Sequence, residues 1–262
     1  MKFLQDIADS KSLLKSLASR EVKQQYVGSA LGIFWQVITP LVLILVFWVV
    51  FSVGFRVQPA SGVPFVVWLT AGMAAWFFFS EIVSGSVHSI TGNPHLVKKV
   101  VFPVQALPVI KVLTALSNHG LFILILIALM IWQGVGFSWW ALQSIYYLFC
   151  LIVLALAIGW LVAALNVFSR DIARLTGVLL QVGMWATPIL WDIKILPEPV
   201  RTIFSLNPVH YVVQGYRDSF LYSTSVSARI PESIWFWCIT LTLLWLGIYV
   251  FKKLQPQFAD LV

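Results

Sequence analysis

Six apolar stretches dominate the hydropathy pattern, and polar connectors separate them. A helix needs about 20 mostly apolar residues to cross the hydrocarbon core of a bilayer. Stretches of about this length predict membrane-spanning helices over residues 32–54, 65–90, 112–132, 144–168, 175–191 and 234–251. The fifth stretch is the shortest, and Pro188 interrupts its end. The pattern therefore predicts an all-α membrane protein with six transmembrane helices.

Residues 3–23 show the periodicity of an amphipathic helix. One face carries Phe3, Leu4, Ile7, Leu14 and Leu17, and the other carries Gln5, Asp9, Ser12, Ser16 and Lys23. An apolar face flanked by basic residues is typical of a helix that lies in the membrane interface. We therefore expect an N-terminal interface helix ahead of the first span.

The segment 192–233, between the fifth and sixth spans, is long for a loop and rich in apolar residues. It contains the stretches ILPEPVRTIF and NPVHYVVQGYRDSFLY, which favour two short helices. Asn207 suits the N-cap of the second helix, and Pro208 suits its first turn. Irregular backbone at membrane depth is tolerated only against protein or a water-filled cavity. Because these helices are too short to span, we expect a re-entrant hairpin on the outer side.

The composition agrees with a membrane protein. Hydrophobic residues make up 60% of the 262 residues and charged residues 10%, against about 25% charged in soluble domains. The first 30 residues do not show the pattern of a signal peptide, so the first span is expected to act as the insertion signal. Cys150 and Cys238 lie in apolar stretches and are expected to act as small hydrophobic residues. No metal-ligand spacing is visible.

Lysine and arginine are distributed unequally between the two sets of connectors. Twelve fall on the side of the N terminus: Lys2, Lys11, Lys15, Arg20, Lys23, Lys98, Lys99, Lys111, Arg170, Arg174, Lys252 and Lys253. Five fall on the other side: Arg56, Lys194, Arg201, Arg217 and Arg229. Cytoplasmic loops carry the excess of basic residues, so both termini are expected in the cytoplasm. The same rule accounts for the net charge of +7 without a nucleic-acid partner.

The connector GNPHLVKKVVFPVQALPVIK, residues 92–111, concentrates three lysines between two spans. Asn93 suits the N-cap of a helix, and Pro94 suits its first turn. The Phe102-Pro103 dipeptide favours its end, which predicts a short helix from Pro94 to about Val100. A basic helix of this kind can be a topology signal and lipid anchor, or it can dock on a cytoplasmic partner. Charge alone leaves both interpretations open.

Glu81 is the one acid well inside a predicted span, and serines and a histidine accompany it. An ionisable residue at membrane depth indicates a functional site. The polar neighbours favour a hydrogen-bonded structural role or a water-filled cavity for Glu81 at least as strongly. Because the spans contain few other ionisable groups, proton-coupled transport is disfavoured.

Aromatic residues are dense, with 13 Trp, 19 Phe and 7 Tyr. Belts at the two membrane interfaces account for many of them. Rings that face a passage would suit sugars, whose C–H faces stack on aromatic surfaces. The candidates for a channel lining are Trp35, Trp76, Phe77, Phe78, Phe79 and Trp185.

The sequence carries no sign of chemistry performed by this chain itself. A nucleotide-binding P-loop needs a Gly-Lys dipeptide, and none of the ten lysines follows a glycine. A membrane glycosyltransferase or phosphotransferase would need clustered acids or histidines on one face, which are missing. Transport driven by ATP would therefore require a separate ATPase chain.

Five segments then point to a family. They are SREVKQQYVGSALGIFWQVITPL (19–41), LVKKVVFP (96–103), FSRDIARL (168–175), NPVHYVVQGYRDSFLY (207–222) and FKKLQPQFADLV (251–262). In this order they resemble the permease subunits of type-two ABC exporters, which move lipid-linked O-antigens and wall teichoic acids. The resemblance covers the chain from about residue 19 to its end.

This resemblance implies a single transmembrane domain over residues 1–262 in the bacterial cytoplasmic membrane. Two copies would form a homodimer around one channel, and each would bind one copy of a cytoplasmic ATPase. That ATPase would hold ATP and Mg, while this chain would bind no cofactor or metal. The implied regions are an interface and gate helix (1–26), a coupling-helix loop (92–103) and a re-entrant outer gate (192–233).

The resemblance also implies roles for individual residues. The ATPase-coupling residues are Asn93, Pro94, His95, Leu96, Lys98 and Lys99. The gate for the substrate headgroup comprises Arg20, Glu21, Lys23 and Tyr26, and the outer gate comprises Asn207, Pro208, Tyr216 and Arg217. Glu81, Arg170 and Asp171 are further candidates without an assigned role.

The expected cargo is a wall teichoic acid linked to polyprenyl pyrophosphate. The stretches VPFVVWLTAGMAAWFFFS and LVKKVVFP resemble the teichoic acid branch of the family. O-antigen or another surface polysaccharide is the alternative cargo. A distant alternative function is an ATP-independent lipid scramblase, which would need no ATPase partner.

Overall fold

The computed structural model describes Phe3, Ile7 and residues 10–25, 28–29, 31–57, 59, 62–99 and 102–262. Every regular element within these residues is helical. The α-helices are α1 Lys11–Gln25, α2 Trp35–Trp48, α3 Phe65–Val87, α4 Pro94–Val97, α5 Leu107–Trp132, α6 Ser144–Phe168, α7 Asp171–Ala186, α8 Glu198–Ser205, α9 Pro208–Arg217, α10 Ile230–Leu254 and α11 Phe258–Leu261. The prediction of an all-helical protein is confirmed.

Among the described residues, five helical segments are long and apolar enough to cross a membrane. They are Trp35–Gly54, Phe65–Val87, Val104–Trp132, Trp139–Phe168 and Val226–Leu261. These segments contain α2, α3, α5, α6 and α10, and they coincide with five of the six predicted spans. The third begins earlier than the predicted residue 112, because Pro108 fits the first turn of α5.

The predicted fifth span corresponds to α7, which has 16 residues and ends at Ala186. Pro188 follows two residues later, and proline has no N–H with which to continue a helix. The helix is therefore too short to be counted with the other five. The prediction of six spans stays a prediction.

Helix α3 forms the centre of the bundle. Val67, Leu69, Met73 and Ile82 on this helix are fully buried, and α3 packs against α5, α6, α7 and α9. A helix that is apolar on all sides is typical of the interior of a bundle. Contacts with α3 therefore fix the positions of α5, α6, α7 and α9 in the bundle.

Helix α1 has the two faces that its sequence predicts. Leu14 and Ala18 are buried in a cluster with Phe3 and Trp160, whose rings meet edge to face with centroids 5.3 Å apart. The polar positions Ser12, Ser16 and Lys23 are exposed, and Leu4, Gln5 and Asp9 lie outside the described residues. The apolar face therefore packs at these points against other helices of the protein.

The segment after α7 forms the two short helices that the sequence predicts, α8 and α9. Asn207 caps α9, because its side-chain oxygen accepts a hydrogen bond from the Val209 amide at 3.0 Å. The Asn207 amide group also donates to the Thr187 hydroxyl at 2.9 Å. The predicted start of this helix is thus confirmed, and α9 is buried among α3, α6 and α10.

Candidate functional site

Glu21 of α1 pairs with Lys111 near the start of α5, and Asn166 near the end of α6 donates to the Val87 carbonyl oxygen at the end of α3, so these helix ends lie together. We call the end that contains α1, α4 and α11 the basic end, and the opposite end the far end. The basic end carries Lys98, Lys99, Arg170, Arg174, Lys252 and Lys253. Candidate residues occur at both ends and in the middle of the bundle.

A cavity of about 460 Å³ lies at the basic end between α1, the connector after α3 and the start of α5. Arg20 and Glu21 of the predicted gate line it together with Asn93, His95 and Leu96 of the predicted coupling group. The structure thus brings two of the predicted sites onto one cavity. Of the remaining gate residues, Lys23 is exposed and Tyr26 lies outside the described residues.

An ion pair closes one side of this cavity. The Glu21 carboxylate on α1 pairs with the Lys111 ammonium on α5, and both side chains are largely buried. The pair connects the N-terminal helix to the first turns of a membrane span. The family resemblance implied a gate role for Glu21 and gave no sign that Lys111 is its partner.

Helix α4 begins at Pro94, as predicted, but Asn93 does not cap it. The Asn93 amide group instead donates to the Ser89 carbonyl oxygen at 2.9 Å, which satisfies a carbonyl near the end of α3. The described helix ends at Val97, earlier than the predicted Val100, which lies outside the described residues. The prediction of a capping side chain is therefore wrong.

The outer surface of α4 is basic. Pro94, His95, Lys98 and Lys99 are exposed, while Val97 is buried in the cluster around Trp160. Lys98 and Lys99 also line a groove of about 420 Å³ that reaches Lys252 and the C-terminal residues Gln255 and Pro256. Among the described residues that line the groove, three are lysines and none is acidic.

A third cavity, of about 420 Å³, lies between α2, α3, α5 and α7. Here Asn118 of α5 donates to the Glu81 carboxylate at 2.6 Å, and Gln36 of α2 donates to the Asn118 side-chain oxygen at 2.7 Å. We call Gln36, Glu81 and Asn118 the polar row. The sequence pattern indicated Glu81 alone, although a side-chain amide inside an apolar stretch would have been a usable signal for the other two.

The six candidate channel aromatics divide into two groups. Trp76, Phe78 and Phe79 are 4%, 2% and 5% exposed and belong to the core of the chain. Trp76 lies against Gly183, and Phe78 lies against the His119 ring with centroids 4.8 Å apart. The side chains of the other group are accessible at the surface. Trp35 is 45% exposed, Trp185 is 54% exposed and Phe77 is half-buried.

At the far end, Arg217 is buried, with 2% of its surface exposed. Its guanidinium donates to the carbonyl oxygens of Pro188 at 2.8 Å and Ile189 at 3.0 Å. Burial lowers the pKa of Arg217 to about 9, so the group remains protonated at neutral pH. The neighbouring Tyr216 is fully buried, with its hydroxyl 3.0 Å from the His119 ring. Tyr216 and Arg217, two of the four predicted outer-gate residues, therefore anchor α9 inside the protein.

A cavity of about 340 Å³ adjoins Arg217. It is lined by charged and polar groups that include Asp192, Lys194, Arg201, His210, Asp218 and Arg229. Asp218 pairs with Arg229, which connects the end of α9 to the turn before α10. Nothing in the sequence pattern indicated that these residues come together.

The remaining candidates, Arg170 and Asp171, lie at the start of α7. Asp171 is in the first turn of the helix, where a negative charge is favourable. It pairs with Arg174 at 3.3 Å, and both side chains are at least 80% exposed. Such surface pairs contribute little to stability.

Comparisons with known proteins decide the family. The ABC-2 type transporter family matches residues 12–221 of the chain. The protein belongs to this family. The resemblance to type-two ABC exporter permeases is thereby confirmed.

Three relatives show how much of the chain is similar to known ABC-2 transporters. It is 30% identical to the O-antigen export system permease protein RfbA of Myxococcus xanthus over 270 residues, 99% of both chains. It is 26% identical to RfbA of Klebsiella pneumoniae over 253 residues, 95% of both chains. It is 23% identical to the polysialic acid transport protein KpsM of Escherichia coli over 215 residues, 80% of this chain and 82% of that one.

The part of the chain that matches the ABC-2 family includes the basic-end cavity, α4, the polar row and Arg217. Within the described residues, no three His, Cys, Asp or Glu side chains come together as a metal site. The family match and the apolar helices describe a multi-pass membrane permease. The arrangement offers cavities that can bind and orient a polar ligand, and packed helices that can transmit movement between them.

Proposed function

We propose that the chain is the membrane permease of an ATP-driven exporter of a lipid-linked surface polysaccharide. The observation that carries this proposal is its similarity, over 99% of both chains, to a permease of an O-antigen export system. The relatives named above are O-antigen and polysialic acid transporters. A polysaccharide of the O-antigen type therefore replaces wall teichoic acid as the proposed cargo.

The proposed assembly is a homodimer with two copies of a cytoplasmic ATPase that binds ATP and Mg. Its proposed topology has six spans, with α7 and the turn after it as the fifth, and both termini in the cytoplasm. The concentration of lysine and arginine at the basic end supports this orientation. In this topology α1 lies at the cytoplasmic interface, and α8 and α9 form the re-entrant hairpin near the outer surface.

Helix α4 is the proposed coupling helix, which receives the movement of the ATPase. Its buried Val97 connects it to the bundle, while Pro94, His95, Lys98 and Lys99 are available to a partner. The lysine-lined groove beside it would favour acidic side chains on the ATPase. Closure of the ATPase pair would push on α4 and move α3 and α5, which flank the connector.

The basic-end cavity is the proposed gate for the lipid-linked headgroup. Arg20, His88 and His95 line it together with the Glu21–Lys111 pair. A pyrophosphate carries several charged oxygens, and guanidinium and ammonium groups bind these through charge-assisted hydrogen bonds. The headgroup is anionic and cannot pair with the Glu21 carboxylate. Lys111 already pairs with Glu21. Arg20 is therefore the primary ligand in this proposal.

The passage itself is proposed to run along the exposed aromatic side chains. Trp35, Phe77 and Trp185 supply rings on which sugar units could slide. Trp76, Phe78 and Phe79 are buried in the core and do not form this surface. The chain makes and breaks no covalent bond in this mechanism.

The experiment that tests the proposal is depletion of the protein in cells that make the polymer. A lipid-linked neutral glycan should accumulate in the cytoplasmic leaflet and disappear when the wild-type gene is restored. Accumulated phosphodiester polymer would instead identify teichoic acid as the cargo. If no polymer accumulates, the exporter proposal is wrong, and if purified protein moves lipid without its ATPase, the protein is a scramblase.

A further inference from the structure

The polar row connects three of the candidate membrane-spanning helices. Gln36 is on α2, Glu81 is on α3 and Asn118 is on α5. The bonds from Gln36 to Asn118 and from Asn118 to Glu81 are short, at 2.7 and 2.6 Å. These side chains are 37 or more positions apart in the sequence, so the row exists only in the folded protein.

The row is not enclosed in the core. It borders the open cavity of about 420 Å³, and Thr39, Ser80 and Ser84 extend its polar surface. Thr39 and Ser84 are exposed, and the three row residues are partly exposed. A carboxylate and two amides facing hydrocarbon would be strongly unfavourable, and such groups face a bundle interior or a water-filled cavity instead. The row therefore faces protein or water and not lipid.

The row has unused hydrogen-bonding capacity, and its three residues line this cavity. Within the described part of the chain, no residue donates to the Gln36 side-chain oxygen or to the second carboxylate oxygen of Glu81. The Asn118 amide group has a second hydrogen beyond the one that it gives to Glu81. The row thus offers acceptors and a donor side by side.

The walls of the cavity supply the complementary apolar surface. Trp35, Phe77 and Phe122 line it together with Leu43 and Leu180, and the Phe77 and Phe122 rings stack with centroids 5.4 Å apart. Sugar hydroxyls donate and accept at the same time, while sugar C–H faces pack on rings. Planar polar groups beside aromatic rings provide both contacts, and the volume is within the range of about 300–1,000 Å³ of ligand pockets.

The charge of the cavity selects between kinds of sugar. Its described lining contains one acid, Glu81, and no lysine or arginine. A carboxylate repels carboxylate-bearing or phosphate-bearing sugar units, and such repulsion is a means of specificity. The lining therefore favours neutral units.

We propose that the polar row, with Trp35 and Phe77, is a subsite that binds neutral sugar units of the polymer as it crosses the membrane. This inference rests on the proposed function and deepens it. Glu81 and Asn118 hydrogen-bond the hydroxyls of one unit, Trp35 packs against its face, and Glu81 excludes anionic units.

The binding test uses purified permease in lipid nanodiscs. The probes are a neutral oligosaccharide released from the cell's own surface polymer by mild acid and an oligosialic acid of similar length. Asn118→Leu and Trp35→Ala should each weaken binding of the neutral probe about ten-fold. Glu81→Gln keeps a hydrogen-bonding group, so it should retain the neutral probe and gain binding of the anionic one.

Matched variants control for general effects of substitution. Gln133→Leu replaces an exposed amide at the end of α5, and Trp245→Ala removes an exposed ring on α10. Both should bind the probes as the wild type does. Neutral-probe binding by Asn118→Leu and Trp35→Ala at the wild-type level would overturn the subsite. So would anionic-probe binding that is unchanged by Glu81→Gln.

An export assay separates this inference from the proposed function. Cells that lack the chromosomal gene receive each variant, and surface polymer and thermal stability of the purified variant are measured. Restoration by the wild type and loss of export in folded Asn118→Leu support the subsite. Normal export by Asn118→Leu and Trp35→Ala refutes the subsite alone, whereas failure of the wild type to restore export refutes the proposed function.

Discussion

The guanidinium of Arg217 lies over the indole ring of Trp68, 3.4 Å from the ring centroid. The same guanidinium binds the carbonyl oxygens of Pro188 and Ile189. One side chain of α9 thereby contacts α3 and the turn where α7 has ended. The interrupted helix leaves carbonyl groups without helical partners, and Arg217 supplies the missing donors.

Replacement of Arg217 by alanine should destabilise the protein by about 3 kcal/mol or more, because two buried carbonyls lose their donors and a cavity forms. Arg217→Lys should recover only part of this stability, since an ammonium cannot reproduce the fork of donors. Thermal unfolding in detergent measures the change. Arg174→Ala, at an exposed position, should leave the unfolding temperature unchanged, and an equal effect of the two alanine variants would contradict this role.

Gly247→Ala should separate α10 from α6. A Cβ atom at this position would lie 2.3 Å from the Ala157 carbonyl oxygen, and backbone cannot move aside as a side chain can. Close approach of helices at small residues is common in membrane proteins. We expect a loss of about 1–3 kcal/mol in thermal unfolding experiments.

Gly120 on α5 is the matched control for Gly247. A Cβ atom there would meet no heavy atom within 4 Å. Gly120→Ala should be neutral or stabilise the protein by up to about 1 kcal/mol, because alanine favours the helix. Similar unfolding temperatures for the two variants would show that the helices can separate without cost.

The protein should become less stable as the pH is lowered, because His210 is buried in its neutral form. Burial, with Arg217 and Arg229 nearby, lowers the pKa of His210 to about 3, whereas Asp192 acts in the opposite direction. The unfolded pKa is about 6.5, so the folded protein binds fewer protons. Above pH 6.5 His210 does not lower the free energy of unfolding. Between pH 6.5 and pH 3 the unfolded state binds the proton first, and the free energy of unfolding falls by up to about 1.4 kcal/mol per pH unit.

The check is thermal unfolding between pH 7 and pH 5 for the wild type and His210→Gln. The variant should depend less on pH, because it has no group that must remain neutral when buried. His95→Gln removes an exposed histidine and should keep the wild-type dependence. Identical slopes for wild type and His210→Gln would exclude His210 as the titrating group.

Reversal of charge at Lys98 and Lys99 should uncouple the permease from its ATPase. If α4 docks on the ATPase, Lys98→Glu with Lys99→Glu places two acids against an acidic partner surface and should reduce permease-stimulated ATP hydrolysis at least about ten-fold. Co-purification and ATPase rate are the measurements. Lys194→Glu at the far end is the control. Unchanged stimulation of ATP hydrolysis by the double variant would contradict the docking of α4 on the ATPase.

The sequence by itself determined the features that depend on neighbouring residues. Long apolar runs predicted five helical segments that are confirmed, and Asn207-Pro208 predicted the start of α9. At Asn93-Pro94 the same signal predicted the start of α4 but not its hydrogen bond, because the Asn93 amide group finds the Ser89 carbonyl instead. Local signals place helix ends well, since each depends on groups only a few positions away.

The tertiary structure alone decided which side chains meet and which ones face a cavity. The WFFF run at 76–79 lies on α3, where periodicity could not distinguish the half-buried Phe77 from the buried Phe78. Periodicity shows a buried face only when the other face lies in water, and an apolar helix among other apolar helices has no such contrast. For the same reason Gln36, Asn118 and Arg217 acquired partners that only the packing of distant helices could bring to them.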